Sequence, residues 1–294
     1  MKDQIIKFYK GLPGSGKSTL AKAWVDKDAT NRVRVNKDSI RDLLHNGKYS
    51  KGNEKQVLDT QDFIILDSLK RGKSIAFDNT HLINKHLTRL ENLLNDNNLS
   101  NVKIEVVDLT SVEPEECIKR DLKRANSVGS DVIWRMYWQN IVGEIKPSIY
   151  IPGALDCIIV DIDGTLAQMN GRHPFQWDKV GEDLCRTHIA RLVEYYSYVY
   201  DQDTTVILMS GREDVCMNET MQWLAQHQVE YNILLMRPAG NYEKDTVLKE
   251  RLYRDHIEGN YNVLLVVDDR PSVIRMWTKL GLPVVSANPT TWEF

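Results

Sequence analysis

The stretch IIKFYKGLPGSGKSTLAKAWVDK, residues 5–27, decides how the chain is read. Its first six residues predict a short strand, and residues 18–27 carry the period of a helix. Between them, GLPGSGKS at 11–18 satisfies GxxxxGK[ST] in the strand, loop, helix context that the motif requires. Gly11, Gly14 and Gly16 let successive backbone N–H groups turn toward one anion, Pro13 and Ser15 complete the loop, and the helix start adds the positive end of its dipole. Lys17 reaches the outer phosphates. The Ser18 hydroxyl, with Thr19 next to it, is placed for Mg²⁺. The implied ligand is a nucleoside triphosphate, with ATP as phosphoryl donor; a structural glycine turn is the bland alternative.

Outward from this stretch, strand-like runs recur at 32–35, 74–77 and 102–109, separated by helical stretches at 54–70 and 84–94, with a surface turn at 95–101. The alternation predicts an α/β fold, a parallel sheet with helices on both faces. Asp38 follows the second strand in VRVNKD, at the sheet edge where ligands of such folds bind, and can accept a hydroxyl proton there. It also precedes SIRDLL and reads equally well as a helix N-cap. Asp78 ends the third strand in SIAFDNT, suited to orienting Mg²⁺ or substrate, or to capping a turn. Arg120 and Arg124 in KRDLKR can close over a triphosphate as a lid, although a solvated basic face is the more frequent meaning of such a run. Further on, Ile133, Met136, Tyr137, Ile141 and Ile145 share a helical face, which reads as core in preference to an interface.

Two prolines and a glycine interrupt regular structure between Pro147 and Gly153. A first domain of residues 1–147, a linker near 148–153 and a second domain of 154–294 are expected. Strands are predicted at 156–161, 204–209, 231–236, 261–267 and 283–286, with helices near 183–200, 215–226, 243–257 and 271–280. CIIVDIDGTLA delivers Asp161 and Asp163 at a strand end, and a spacing of two puts both carboxylates on one face. One can attack phosphorus to give an aspartyl-phosphate; the other can protonate the leaving oxygen and then activate water. Two carboxylates and a phosphate need a cation, and oxygen ligands favour Mg²⁺. A bare DxD is weak evidence, but its companions strengthen it. Ser210, Gly211 and Arg212 follow VILM, Lys249 lies in KDTVLKE, and Asp268 and Asp269 end VLLVV, so hydroxyl, ammonium and carboxylates arrive at successive strand ends.

The 294 residues are 42% apolar and 27% charged, ordinary for a globular protein and unlike a fibrous or disordered one. No run approaches the roughly 18 apolar residues of a membrane span, and the N-terminus lacks signal-peptide architecture. A soluble, cytoplasmic protein with no membrane partner is expected. Cys117, Cys157, Cys185 and Cys216 lie 28 to 40 residues apart, which excludes a CxxC knuckle and leaves reduced thiols as the default. The net charge of −3 argues at first sight against a polyanion binder. Residues 1–150, however, hold 25 Lys and Arg against 20 Asp and Glu, and residues 151–294 hold 13 against 21. Two halves with different tasks fit that asymmetry.

The quartet DIDGT, MSGR, Lys249 and VDDR closely resembles the haloacid dehalogenase phosphatase superfamily. Paired with an N-terminal GLPGSGKS module, the whole chain resembles the bacteriophage polynucleotide kinase/3′-phosphatase family, through NKDSIR at 36–41, KRDLKR, LAQMNGR, KDTVLKE and DDRPSVIRMW. The resemblance implies an N-terminal P-loop NTPase parallel-sheet domain carrying a 5′-kinase, then a haloacid dehalogenase-like, Rossmannoid parallel-sheet domain carrying a 3′-phosphatase. It implies Lys17 and Ser18 at the donor phosphates, Asp38 as base for a 5′-hydroxyl, Arg41 as an acceptor contact and Arg124 as the lid arginine. In the second domain it implies Asp161 as nucleophile and Asp163 as acid/base. Ser210, Arg212 and Lys249 would hold phosphate, Arg172 would contact substrate, Asp245 would orient Lys249, and Asp269, rather than Asp268, would be the direct metal ligand. DNA and RNA ends, a nucleic acid ligase as functional partner, a homo-oligomer and, for a phage-encoded protein, the host cytoplasm are implied likewise. Lys37 and FDNT depart from the family's pattern, which leaves the role of Asp78 open.

A kinase and a phosphatase acting on one hydroxyl would cancel. Addition at a 5′-hydroxyl and removal of a 3′-phosphate, extending to a 2′,3′-cyclic phosphate, would instead heal broken ends for repair. The competing expectations are a bifunctional metabolite kinase/phosphatase and a binding module that recognises ends through one degenerate site.

Overall fold

The computed structural model describes residues 4–200 and 204–288, so both extremes of the expected domains, 1–3 and 289–294, lie outside the described residues. Contacts divide the chain into two compact units, Met1–Gly143 and Glu144–Phe294. The stretch expected as a linker belongs to the second unit. Ser148 N–H donates to the Gly281 carbonyl (3.1 Å), and the Ile151 N–H donates to Asn262 Oδ1 (2.7 Å).

In the first unit β1 (Ile5–Lys10), β2 (Arg32–Val35), β3 (Ser74–Phe77) and β4 (Lys103–Asp108) form a parallel sheet in the order β2-β3-β1-β4. Side-chain alternation gives the sheet two apolar faces. Ile6 and Phe8 join Val35, Ile75 and Phe77 on one; Tyr9 and Ala76 pack against Ala21 on the other. Around the sheet lie α1 (Lys17–Asp26), α2 (Lys37–His45), α3 (Lys51–Lys70), α4 (Asn84–Asp96), α5 (Pro114–Asp121) and α6 (Ser130–Tyr137). The helix expected to carry Ile133 to Ile145 on one face changes to a π-helical turn at Trp138–Val142 and stops at Gly143. Its apolar face is core: Ile133 and Tyr137 are buried with Leu12 and Cys117, with Met136 and Ile141 packed against them.

The second unit is a five-stranded parallel sheet in the order β11-β10-β5-β8-β9. Its elements are β5 (Leu155–Asp161), β6 (Ala167–Gln168), β7 (Leu184–Cys185), α7 (Thr187–Glu194), β8 (Thr205–Glu213), α8 (Met217–Gln226), β9 (Ile233–Arg237), α9 (Asp245–His256), β10 (Tyr261–Asp268), α10 (Pro271–Lys279) and β11 (Val284–Ser286). The continuous apolar run of β5 suits a central strand covered on both faces. Cys157 and Ile159 pack with Leu252 and Trp277, whereas Ile158 and Val160 pack with Val193 and Trp223.

Two expectations shift here. The helix expected from residue 183 starts later, because Asp183 is fixed by buried arginines and Leu184–Cys185 pair antiparallel with Ala167–Gln168. The strand expected to end at 209 runs on to Glu213, so Ser210, Gly211 and Arg212 lie within it. Among the described residues no helix is long and apolar enough to cross a membrane.

Candidate active sites

The loop after β1 wraps toward the N-terminus of α1, with Gly16 in the left-handed region as N-cap. Gly14 has φ +80, and a Cβ there would lie 2.1 Å from the Cys117 carbonyl, so the loop and α5 approach as only glycine allows. The buried Lys17 ammonium donates to the carbonyls of Gly11 (2.8 Å) and Leu12 (2.6 Å). Burial pulls its pKa down to about 8, against the opposing pull of Cys117 and Asp78. Pro13, Gly14, Gly16, Lys17, Ser18 and Thr19 line a cavity of about 640 Å³ that continues past Asp38 and Arg41 to Arg120 and Arg124.

Asn36 resolves the double reading of Asp38, because Asn36 is the N-cap of α2 and accepts from Ser39 N–H (2.9 Å). Asp38 is left exposed in the first turn, accepting from Arg41 Nη1 (2.6 Å). Arg41 also pairs with Glu54, whose other oxygen takes Lys37 (2.9 Å). The hydrogen bond between Arg41 and Glu54 raises the pKa of the guanidinium and lowers that of the carboxyl. Asp78 is buried and gripped by both Nε (3.0 Å) and Nη2 (2.8 Å) of Arg34, so its carboxylate is committed within the protein. Arg120 and Arg124 rest on Glu116 (2.7 Å) and Asp121 (3.1 Å).

His81 lies beneath the same cavity, stacked on Phe8 with ring centroids 4.0 Å apart, and its Nδ1–H donates to the Tyr9 carbonyl (2.9 Å). Burial pushes its pKa down to about 3. An unfolded histidine takes up its proton near pH 6.5 and the folded one only near 3, so stability is whole above pH 6.5 and lost as pH falls through that window. The loss is about 1.4 kcal/mol per pH unit, about 2 kcal/mol by pH 5. Hydrogen exchange of the β1 and β3 amides is therefore expected to lose protection between pH 7 and 5, and less so in His81→Gln. Equal losses would refute the assignment.

In the second unit Asp161, Asp268 and Asp269 bring carboxylate oxygens within 4.8 Å of one another. Lys249 Nζ donates to Asp161 (2.7 Å) and Asp268 (2.7 Å), and Thr165 Oγ1 donates to the other oxygen of Asp161 (3.0 Å). Burial pushes the Asp161 pKa up, as do Asp268 and Asp269, against the pull of Lys249. An all-oxygen donor set with that crowding, two of its three carboxylates buried, fits a hard divalent cation such as Mg²⁺. Gly164, at φ +82, leaves room for the Asp269 carboxylate: a Cβ there would lie 2.1 Å from Asp269 Oδ2.

Three expectations change. Asp268, not Asp245, orients Lys249; Asp245 instead takes Arg237 and Arg270, and lies against Gly211. The Asp163 carboxylate, expected among the metal ligands, stands apart from the three and accepts from Arg212 Nε (2.8 Å) and Arg172 Nη2 (2.7 Å). Arg172, expected at substrate, is buried in that network, and its Nη1 also donates to the Pro174 carbonyl (3.1 Å). Asp183, overlooked in the sequence, closes the network by accepting from Arg172 Nε (2.8 Å) and Arg212 Nη2 (2.8 Å). Ser210 is buried, and its Oγ accepts from the Arg212 N–H (3.1 Å).

Residues 155–292 match the family model of the polynucleotide kinase PNKP phosphatase domain, and residues 8–136 match an AAA domain. A bifunctional polynucleotide kinase/RNA ligase of Autographa californica nuclear polyhedrosis virus is 28% identical over 94% of this chain. The chain spans 41% of the length of that viral protein. A chain of the Pnkp1/Rnl/Hen1 RNA repair complex is 27% identical, with 97% of this chain and 96% of that chain covered and a TM-score of 0.47.

Proposed function

We propose that this fusion of an AAA-type P-loop domain with a PNKP-type phosphatase domain heals nucleic acid ends, phosphorylating 5′-hydroxyls from ATP and removing 3′-phosphates. The observation that carries the reading is the presence of two separately built phosphoryl sites in one chain, the second within the phosphatase family match.

At the first site Lys17 and the loop amides hold the donor's outer phosphates, Ser18 offers its hydroxyl to Mg²⁺, and Arg120 and Arg124 cover the donor. Asp38 takes the proton of the 5′-hydroxyl as its oxygen attacks the γ-phosphorus and ADP departs. Arg41, fixed by Glu54, holds Asp38 and the acceptor together. At the second site an Asp161 oxygen attacks phosphorus and Asp163 protonates the departing 3′-oxygen. Asp163 then deprotonates water, which opens the aspartyl-phosphate and releases inorganic phosphate. Lys249, Ser210 and Arg212 hold the phosphate in place. Asp161 and Asp269 would hold Mg²⁺, while Asp268 is occupied with Lys249 and the Arg270 N–H (3.1 Å); the ion would supply charge neutralisation for the transferring group.

One surface feature favours nucleic acid over a small metabolite. Phe175 is 72% exposed on a turn closed by the bond from Gln176 N–H to His173 O (2.9 Å), and Arg172 ties that turn to Asp163. A base can stack there. Phe175→Ala is expected to raise KM for a 3′-phosphorylated oligonucleotide about tenfold, since stacking on an aromatic ring is worth about 1–3 kcal/mol per base, and to leave p-nitrophenyl phosphate hydrolysis unchanged.

The function is tested with an oligonucleotide carrying a 5′-hydroxyl and a 3′-phosphate, γ-labelled ATP and Mg²⁺. Label at the 5′ end, loss of the 3′-phosphate and weakening with salt support the reading, because a phosphate chain releases counterions on binding. Labelling confined to sugars or nucleosides would point to a metabolite enzyme. The 5′-phosphate and 3′-hydroxyl left behind, on DNA or RNA, are the ends a ligase joins.

A further inference from the structure

The lid arginines sit on a segment whose construction goes beyond what a basic helix face requires. Asp121, the last residue of α5, is fully buried, an unusual state for a carboxylate. One of its oxygens accepts three hydrogen bonds from a single stretch of chain downstream: Ser127 Oγ (2.7 Å), Val128 N–H (2.8 Å) and Gly129 N–H (3.1 Å). The other accepts from Arg124 Nη1 (3.1 Å). Burial works against the charge of Asp121, yet the donors prevail and hold its pKa below the ordinary value. Residues 122–129 are thereby closed into a ring around one carboxylate. The ring's root is fixed as well, because the Cys117 carbonyl of α5 seats on Gly14 in the phosphate loop. Arg124 and Val128, both on the ring, line the donor cavity.

We propose that Asp121 is a positioning residue of the donor site: it holds the 122–129 segment as a fixed ring, and the lid acts by transfer of the Arg124 guanidinium from Asp121 to the donor's phosphates, not by swinging of the segment. This rests on reading the first unit as an ATP-dependent kinase. Arg124 exchanges one anionic partner for another, and the Asp121 carboxylate keeps its three remaining donors.

Three variants separate the two tasks of the carboxylate. In Asp121→Asn the amide oxygen can still accept the ring's hydrogen bonds, but its NH₂ faces the Arg124 donor, so Arg124 is released while the ring persists. The expected result is a severalfold lower KM for ATP with kcat within about twofold of the parent. In Asp121→Ala the ring opens. The expected result is a kcat at least about tenfold lower and cleavage by trypsin after Lys123 or Arg124 at least about tenfold faster, with 3′-phosphate release from the second unit unchanged. Should the alanine variant fail to fold, Ser127→Ala, which removes one of the three donors, is expected to accelerate the same cleavage by a smaller factor. Cleavage and kinetic constants in all three variants matching the parent would overturn the proposal, as would an asparagine variant that behaves like the alanine one. A parent chain that phosphorylates no 5′-hydroxyl would instead overturn the kinase reading, and the trypsin comparison would still decide whether the ring exists.

Discussion

Asp161→Asn is expected to lower 3′-phosphate release by at least about 10³-fold and to leave 5′ phosphorylation within about twofold of the parent chain. The substitution keeps the shape of the side chain, so Thr165 Oγ1 can still donate to the amide oxygen, but an amide cannot attack phosphorus. The effect on the surroundings is also defined. Lys249 would face an NH₂ group on one side and keep Asp268 on the other, so its charge remains paired and the fold should persist. Near-native melting of the second unit, with no burst of released alcohol in single-turnover assays, would complete the result. Hydrolysis surviving within tenfold would mean that Asp161 is not the nucleophile.

The second large effect mirrors the first. Lys17→Ala is expected to lower 5′ phosphorylation by at least about 10²-fold and to leave 3′-phosphate release unchanged, because the ammonium is the charge the loop offers to the outer phosphates. Lys17 itself lines the cavity, so the space left by its truncation opens to water that can meet the Gly11 and Leu12 carbonyls it now engages, and unfolding is not the expected outcome. Assaying both activities on both variants makes each unit the folding control of the other. If either change removed both activities in a folded chain, the assignment of two independent sites would be wrong.

What the sequence foretold and what only the folded chain reveals differ by contact distance along the chain. The phosphate loop and DIDGT were legible because their residues sit within a few positions of one another, on a strand end whose geometry is local. The sheets were legible for the same reason, since β5 and β10 hold apolar runs bounded by aspartate or asparagine and β1 runs directly into the glycine of the phosphate loop. Asp183 was not legible. Its partners Arg172 and Arg212 lie 11 and 29 positions away, and its own neighbourhood, GEDLCR, reads as an unremarkable polar turn. Glu54 was not legible either: nothing in its local sequence marks it, although it holds Lys37 and Arg41 across the helix pair. Asp245 shows the converse error. The family resemblance implies it as the partner of Lys249 on the same helix, yet Asp268 reaches the ammonium from the neighbouring strand.

The anchoring of residues 146–151 dictates where the chain can be divided. A fragment starting at 154 would remove the Ile151 N–H and carbonyl from Asn262 and strip the Gly281 carbonyl of its Ser148 donor, leaving polar groups of the second unit bare. A Cβ at Gly281 would lie 2.0 Å from the Lys146 carbonyl, so the seat for this segment is shaped by the absence of a side chain. Scission between Gly143 and Glu144 keeps that strap with the half it fastens, although the prolines that announce a boundary lie further on. Punctuation in the sequence and the seam in the molecule are thus several residues apart, and a separately expressed phosphatase should be cut at the seam.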